Sequence, residues 1–467
     1  MGNVTQPQPS SMRARLLRRW HFLRKWMTPG LRVKRWLLLL VFGVVAISFA
    51  GAQIIADVYR HGNVPLLHYL TLGFLPPLAR VVIGLLAGSA ALVVALYELN
   101  RSILAPLSRQ QRAPLVDMVR NNTLRQKGLR VVALGGGTGL PVVLRSFKAK
   151  TRHITAIVTM ADDGGSSGRL RQELGVLPPG DLRNNIAALA NDEDLMAQLL
   201  QYRFADGGLE GHNFGNLFLT ALADITGSMD RALVEAGKVL VIEGSVLPST
   251  LQDVTLVAEV RDPASNSLRH VIGESHITLA GGRIERVSLT PERAQAYPDT
   301  IRAILAAELI VIGPGSLYTS ILPTLLINGI TEAIRISSAT CIYVCNIAEQ
   351  QGETDGFTVA DHVLALERHI GQGVFSVVLA NNAYPAVNAG ERTRYIPLAA
   401  PDDDIRSRYT VYECDLTDPQ RPWRHSPAKL HRAIGDILAL RQSDDTPVDR
   451  ATPRLPMHEH PLSGGLR

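Results

Sequence analysis

Val131-Val132-Ala133-Leu134-Gly135-Gly136-Gly137-Thr138-Gly139-Leu140 decides how the rest of the chain is read. Four consecutive apolar residues are the pattern of a parallel strand buried on both faces. They run into Gly135, Gly136, Gly137, Thr138 and Gly139, a stretch almost without side chains. Such a loop lets backbone N–H groups approach an anion closely. Pro141 suits the first turn of a helix that would continue through Val142, Val143, Leu144 and Phe147. Strand, glycine loop and helix N-terminus together outline a phosphate cradle. The dinucleotide fingerprint fails, because Leu140 stands where its third glycine belongs. That weighs against an NAD-dependent oxidoreductase. No Gly-Lys-Ser/Thr comes after it, so the loop is not a Walker A loop either. The competing reading is a tight strand-to-helix turn that holds no ligand.

Working outward, the same alternation recurs. Ile154–Met160 is a second buried strand, ending in Ala161-Asp162-Asp163-Gly164-Gly165-Ser166-Ser167-Gly168-Arg169. Ligands of open α/β sheets gather at such strand ends. The carboxylates of Asp162 and Asp163 suit a metal or a ribose; Gly164, Gly165, Ser166, Ser167 and Arg169 suit phosphate. A solvated turn with Ser167 as helix cap is the alternative. Asp181, in Pro178-Pro179-Gly180-Asp181-Leu182-Arg183-Asn184, reads as an N-cap that places Arg183 and Asn184 in a helix's first turn. Gly211-His212-Asn213-Phe214-Gly215-Asn216 opens a further helix with a glycine-flanked histidine. A lone histidine is more often structural than catalytic, but the flanking glycine and the two asparagines at a helix start make the two readings about even here.

From Lys238 to Ser288 the pattern changes to short alternating runs, Val239–Ile242, Val254–Val260, His270–Ile277 and Ile284–Leu289, read as an antiparallel insertion. Thr290-Pro291-Glu292 then reads as a helix start. Leu309–Ile312 is a buried strand that empties into Gly313-Pro314-Gly315-Ser316-Leu317-Tyr318, a second glycine junction. Two such junctions can clamp one ligand from two strand ends. Strands at Ile342–Cys345, ending in Asn346, and at Val374–Leu379 come next, separated by a helix through Val363, Leu364 and Leu366. The expected fold is Rossmann-like α/β: a mostly parallel sheet with helices on both faces and a small antiparallel insertion.

The charge is divided unevenly over the 467 residues. Residues 1–130 carry 18 Lys and Arg against 3 Asp and Glu, whereas the remainder carries 30 against 39. An acidic body argues against a nucleic-acid partner. The three cysteines, Cys341, Cys345 and Cys414, imply no disulfide framework, and the first two read as buried thiols rather than a metal pair. Residues 1–35 hold nine basic residues and no acidic one; they are followed by apolar runs from Trp36 to Ala56 and from Val81 to Tyr97. These lengths suit a two-span hairpin over residues 36–98. The basic flanks then place both ends in the cytoplasm. A secretory signal peptide competes, but no clear cleavage site is present. The expected organisation is a basic leader (1–35), the hairpin at the cell membrane (36–98), a juxtamembrane linker (99–129), an α/β domain (130–440) and a disordered tail (441–467).

The glycine loop, the Asp162–Arg169 run, Pro178–Asn184, Gly211–Leu217, Val246–Pro248, Gly313–Ser320 and Gly352–Asp355 with Ala360-Asp361-His362 together resemble the gluconeogenesis-factor (YvcK) family within the CofD-like superfamily. The resemblance covers roughly residues 130–435. It implies a Rossmann-like fold, binding of UDP-N-acetylglucosamine, and a part in cell shape and envelope synthesis with envelope-synthesis partner proteins. It also implies that Arg424 and an upstream tyrosine, matched here by Tyr395, contact the sugar nucleotide. The sequence departs from the family at Glu308, Thr324, Gln351 and Ser426, where Asp, Asn, Pro and Asp are usual.

On this reading the amides of Gly136–Gly139 and of Gly315 and Ser316 hold the diphosphate. Asn213 and Asn216 bond the base or sugar, and Arg424 forks onto phosphate. The CofD branch supplies the alternative, a metal-dependent 2-phospho-L-lactate transferase in which Asp162 and Asp163 carry Mg²⁺ and His212 serves as acid or base. A homo-oligomer is expected.

Overall fold

The computed structural model describes residues 123–444, except 192 and 387–393, together with isolated positions between 44 and 90. The chain divides into two compact units, Met1–Arg125 and Gln126–Arg467. The basic leader and most of the 36–98 hairpin, the linker and the tail lie outside the described residues. Among the described residues, no helix is long and apolar enough to cross a membrane.

The second unit opens on β1 (Val131–Gly135), buried at every residue. Helix α1 (Leu140–Lys148) comes after it with Pro141 in its first turn, as its fixed φ favours. Next come β2 (Ile154–Val158), α2 (Gly165–Leu174), α3 (Gly180–Leu189), α4 (Glu193–Gln201), α5 (Phe214–Thr226), α6 (Met229–Val239) and β3 (Ser245–Pro248). The insertion contains β4 (Thr255–Arg261), β5 (Leu268–Ile272), the single helical turn α7 (Glu274–Ile277) and β6 (Arg283–Thr290). Alternation then resumes with α8 (Pro298–Ala306), β7 (Leu309–Ile312), α9 (Ile330–Ile336), β8 (Thr340–Val344), α10 (Val359–Ile370), β9 (Val377–Asn381), β10 (Thr410–Cys414) and α11 (Pro427–Asp444).

Seven strands form one sheet in the order β10-β9-β8-β7-β1-β2-β3, parallel throughout. Because β1, β7 and β9 are buried at every position, both faces of the sheet are covered. Helix α1 packs against α3 and α11, and α8 packs against α9. The insertion is a separate antiparallel sheet, β5-β4-β6. From β1 the chain builds outward through β2 to β3; it returns to place β7 on the other side of β1 and builds outward again. The strand order therefore reverses between β1 and β7, which sets a crevice at their carboxyl ends.

Several local expectations are corrected. Val239–Ile242 is not a strand: it closes α6, and Val241 turns with a positive φ of 49°. The run from His270 stops at Ile272, where Gly273, at φ 98°, turns the chain into α7. Pro291 opens no helix; the next one starts at Pro298, after a loop whose Ala294 and Ala296 pair with Asn328. Ser167 lies inside α2, which is preceded by extended Gly164. Asp181 sits in the first turn of α3, after Pro179, and its side chain is directed elsewhere. Strand β10 and helix α11 were not expected. The half-exposed Thr410-Val411-Tyr412-Glu413-Cys414 has the mixed composition of an edge strand, which weakens its apolar signal.

Candidate functional site

The two glycine junctions meet at the crevice. The Gly313 amide donates to the Leu134 carbonyl, so the β7 turn starts against the end of β1. A Cβ at Gly139 would lie 2.1 Å from the Pro314 carbonyl oxygen; only glycine lets these two loops touch. Asn346, just past β8, brackets Gly315, accepting from its amide at 3.0 Å and donating to its carbonyl at 2.8 Å. Buried Glu353 pins the turn beyond Ser316, accepting from the Tyr318 amide at 3.2 Å and the Thr319 hydroxyl at 3.0 Å. The Tyr318 side chain itself packs inward, edge-on to Phe357 and His369, and does not reach the crevice.

Two groups of residues flank the glycine loop. On the β7–β8 side is a cavity of about 330 Å³ lined by Thr138, Gly139, Ser316, Asn346, Trp423 and Arg424, among others. The segment carrying Trp423 and Arg424 is held by a bridge between Thr417 and His425 and by Asp418, which accepts from the Gln420 and Arg421 amides. His425 Nε2 donates to the Cys345 carbonyl at 3.1 Å, and burial pushes this imidazole down to about 4, so it is neutral. Tyr395 pairs with Ala348 beside this cavity, but its hydroxyl donates to the Pro385 carbonyl at 2.8 Å.

On the β2 side is a polar network built from the starts of α2, α3 and α5. Asp181 Oδ2 accepts from the Gly137 amide at 2.8 Å. Arg183 donates to Asn216 Oδ1 and to Asn184 Oδ1, both at 2.9 Å. Asn216 Nδ2 reaches Ser167 Oγ at 3.4 Å, and Ser167 bonds Asp162. Ser166 Oγ lies 3.2 Å from His212 Nδ1 and accepts from the Asn213 amide at 3.3 Å. No local pattern marks this serine–histidine pair, because its members are 46 residues apart. Asn213 donates to the Gln201 carbonyl, while its buried Oδ1 has no hydrogen-bond partner. Arg169 leaves the network and bonds the Glu210 carbonyl at 3.1 Å.

The diphosphate cradle is smaller than the sequence suggests. Of the amides assigned to it, Gly137 is taken by Asp181 and Gly315 by Asn346. No such side-chain bond occupies the amides of Gly136, Thr138, Gly139 and Ser316 among the described residues.

The carboxylates of this side are electrostatically coupled. Desolvation, then the nearby Asp162 charge, pushes Asp181 up to about 6. Desolvation also raises Asp162. Glu274, on α7, is pushed up to about 8 by desolvation and then by Asp162, Asp163, Glu353 and Asp181. Glu274 was missed by sequence reading; it comes from the insertion, far along the chain, with no flanking motif to mark it. Asp162 Oδ1 accepts from the Gly164 amide and Asp163 Oδ1 from the Ser275 amide, both at 2.9 Å. Among the described residues, no three His, Cys, Asp or Glu side chains form a group that could hold a metal ion. Asp162 and Asp163 therefore form no all-protein metal cage, and a Mg²⁺ held by them would take its remaining ligands from substrate phosphate and water.

A family model described as 2-phospho-L-lactate transferase CofD matches residues 131–411. The chain belongs to the CofD family. Within it, the similar proteins carry the name gluconeogenesis factor. One, a putative gluconeogenesis factor of Nostoc sp., is 44% identical over 398 residues, 83% of this chain and 84% of the relative. Another, from Thermotoga maritima, is 44% identical over 318 residues, 66% of this chain and 99% of the relative. A crystal structure of a UPF0052-family protein from Bacillus halodurans superposes with TM-score 0.60 at 42% identity, covering 66% of this chain and 98% of that one.

Of the four positions that depart from the resembled pattern, Glu308, Thr324 and Ser426 do not line the cavity, while Gln351 follows Gln350, which does. Glu308 precedes β7 and accepts from the Arg130 amide. Thr324 is buried and donates to the Ser320 carbonyl one turn earlier. Ser426 precedes Pro427 at the start of α11, and its carbonyl accepts from Leu430. Ser and Asp are both favoured helix caps, so this exchange concerns helix initiation.

Proposed function

We propose that this protein is a membrane-anchored, cytoplasm-facing sugar-nucleotide-binding regulator, with UDP-N-acetylglucosamine as its ligand and cell shape and envelope synthesis as its field of action. One observation carries the reading. The strand order reverses between two glycine junctions, and the crevice there has a cavity edged by Arg424, a cation suited to phosphate. The remaining loop amides supply further anion contacts. The relatives' name, gluconeogenesis factor, agrees with a regulatory role. The anchor rests on the apolar runs at 36–56 and 81–97 and their basic flanks.

Calorimetry on the purified full-length chain tests it. Saturable heat with UDP-N-acetylglucosamine is expected; no heat with it, where another nucleotide does bind, rejects it.

A transferase is the second reading, favoured by the Ser166–His212 hydrogen bond and the description of the matching family model. Product formation from a nucleotide-activated phospholactate and a deazaflavin acceptor, lost in Asp162→Asn, would support that reading over the first.

A further inference from the structure

We infer that Trp423 is the stacking platform for the nucleobase, so that the nucleotide sugar lies in one orientation: base in the β7–β8 cavity, diphosphate over the Thr138–Gly139 loop, sugar toward Asn213. This deepens the proposed nucleotide binding and rests on it.

The geometry begins with the cavity's size. At about 330 Å³ it stands at the lower end of ligand pockets, which run roughly 300–1,000 Å³. It therefore takes one end of a nucleotide sugar and leaves the other to extend along the crevice. Trp423 lines the cavity together with the imidazole of His425; His425 is buried and bonded to Cys345, whereas Trp423 is half-buried, so part of its surface is open to a ligand. A nucleobase presents a π-face of matching size; a hydrated sugar does not need one. The platform is preorganised, because the Thr417–His425 bridge, the Asp418 turn and the bond from His425 to the end of β8 fix the segment. Arg424, next in the chain, lines the same cavity and is exposed, ready for phosphate.

The cavity is also lined by polar side chains, those of Thr138, Ser316, Asn346, Glu349 and Gln350, so Trp423 is what sets it apart from the other end of the crevice. Beyond the glycine loop, on the β2 side, stand hydroxyls, amides and carboxylates, and buried Asn213 Oδ1 lacks a partner. A buried acceptor left unmet is costly, but Asn213 Oδ1 is closed to solvent, so a sugar hydroxyl or acetamido N–H would reach it only once the surrounding network opens. The place of Trp423, at one end of the crevice, orients the ligand.

Intrinsic fluorescence gives a direct test, since the chain has four tryptophans and the others are Trp20, Trp26 and Trp36. In full-length protein with those three replaced by Phe, UDP and UDP-N-acetylglucosamine should change Trp423 emission with the midpoints found by calorimetry. N-acetylglucosamine 1-phosphate, which lacks the base, should bind more weakly and leave emission unchanged. In the otherwise unaltered chain, Trp423→Ala should weaken UDP about tenfold or more, Trp423→Phe much less, as stacking on another ring is retained. Unchanged emission and unchanged affinity in Trp423→Ala, with calorimetric binding of UDP intact, would overturn the stacking and leave nucleotide binding standing. An emission change with N-acetylglucosamine 1-phosphate but not with UDP would reverse the orientation and overturn the inference. Absence of calorimetric binding by either nucleotide would remove the proposed function and this inference with it.

Discussion

Gly139 and Glu274 show how single residues set the state of this site. At Gly139 the constraint is contact: any Cβ would sit 2.1 Å from Pro314's carbonyl oxygen, and both partners are backbone. Gly139→Ala should therefore push the two junctions apart, costing ~2–3 kcal/mol by forced overpacking and abolishing measurable nucleotide binding. Gly165→Ala is the control. There φ is +48° but nothing lies within 4 Å of the added carbon, so only strain of about 1 kcal/mol is expected. Urea unfolding of the two variants decides it; equal stabilities would contradict the close-approach argument. Glu274 makes an electrostatic case. Its carboxyl is raised from 4.5 to about 8, so the folded state holds the proton more tightly than the unfolded chain. Stability from this group is complete below about pH 4.5 and is lost as pH rises through about 8. Glu274→Gln cannot ionise and should escape that loss. One pKa unit is worth about 1.4 kcal/mol, and the coupled carboxylates share the shift, so an advantage of ~1–3 kcal/mol above pH 8 is expected. It should vanish near pH 4.5. A constant difference across pH would show that Glu274 does not ionise in this range.

Whole elements differ in how plainly the sequence announces them. Strands β1 and β7 are short apolar runs stopped by glycine, and both are legible because burial on two faces leaves no room for polar residues. The crevice is a consequence of the two. The errors come where composition and conformation part: Val239–Ile242 is apolar yet closes a helix, and Gly273 converts one apparent strand into a strand and a turn. Candidate residues carried by local motifs can be picked out of the sequence, whereas Glu274 depends on how the insertion folds back, which no local pattern encodes. Ser426 also belongs to this scale. It departs from the family pattern beside Arg424, yet its place at the start of α11 ties it to that helix. Ser426→Asp should change stability by no more than about 0.5 kcal/mol, because the two residues cap helices equally well. Affinity for UDP-N-acetylglucosamine should also stay within about threefold, a bound of ~0.6 kcal/mol. A larger change in affinity with unchanged stability would return this position to the ligand.

For the whole molecule, the question is whether the proposed membrane segment serves the proposed binding body or only holds it. The chain divides at Arg125/Gln126, and the Thermotoga relative, 99% of which is matched, corresponds to 66% of this chain. The solved Bacillus structure likewise matches 66% of this chain with 98% of its own length. A body of this extent therefore exists as a complete protein in relatives. Residues 126–467 alone should accordingly be soluble, unfold cooperatively and bind UDP-N-acetylglucosamine within about threefold of the full chain, a difference of at most ~0.6 kcal/mol. Precipitation, or loss of binding by a folded 126–467 fragment, would make the first unit part of the fold rather than a tether. Topology is tested separately. On the proposed topology the basic flanks of both apolar runs lie in the cytoplasm and the short loop near Asn63 lies across the membrane. Alkaline phosphatase, active only outside the cytoplasm, should be active when fused near Asn63 and inactive at the C-terminus; a fluorescent reporter should show the reverse. An active phosphatase at the C-terminus would mean that only one run crosses, which would place the nucleotide site on the side of the membrane where cytoplasmic sugar nucleotides do not reach it. The two experiments are independent, because a body that folds alone can be carried to either side, and only the fusions report which side it occupies.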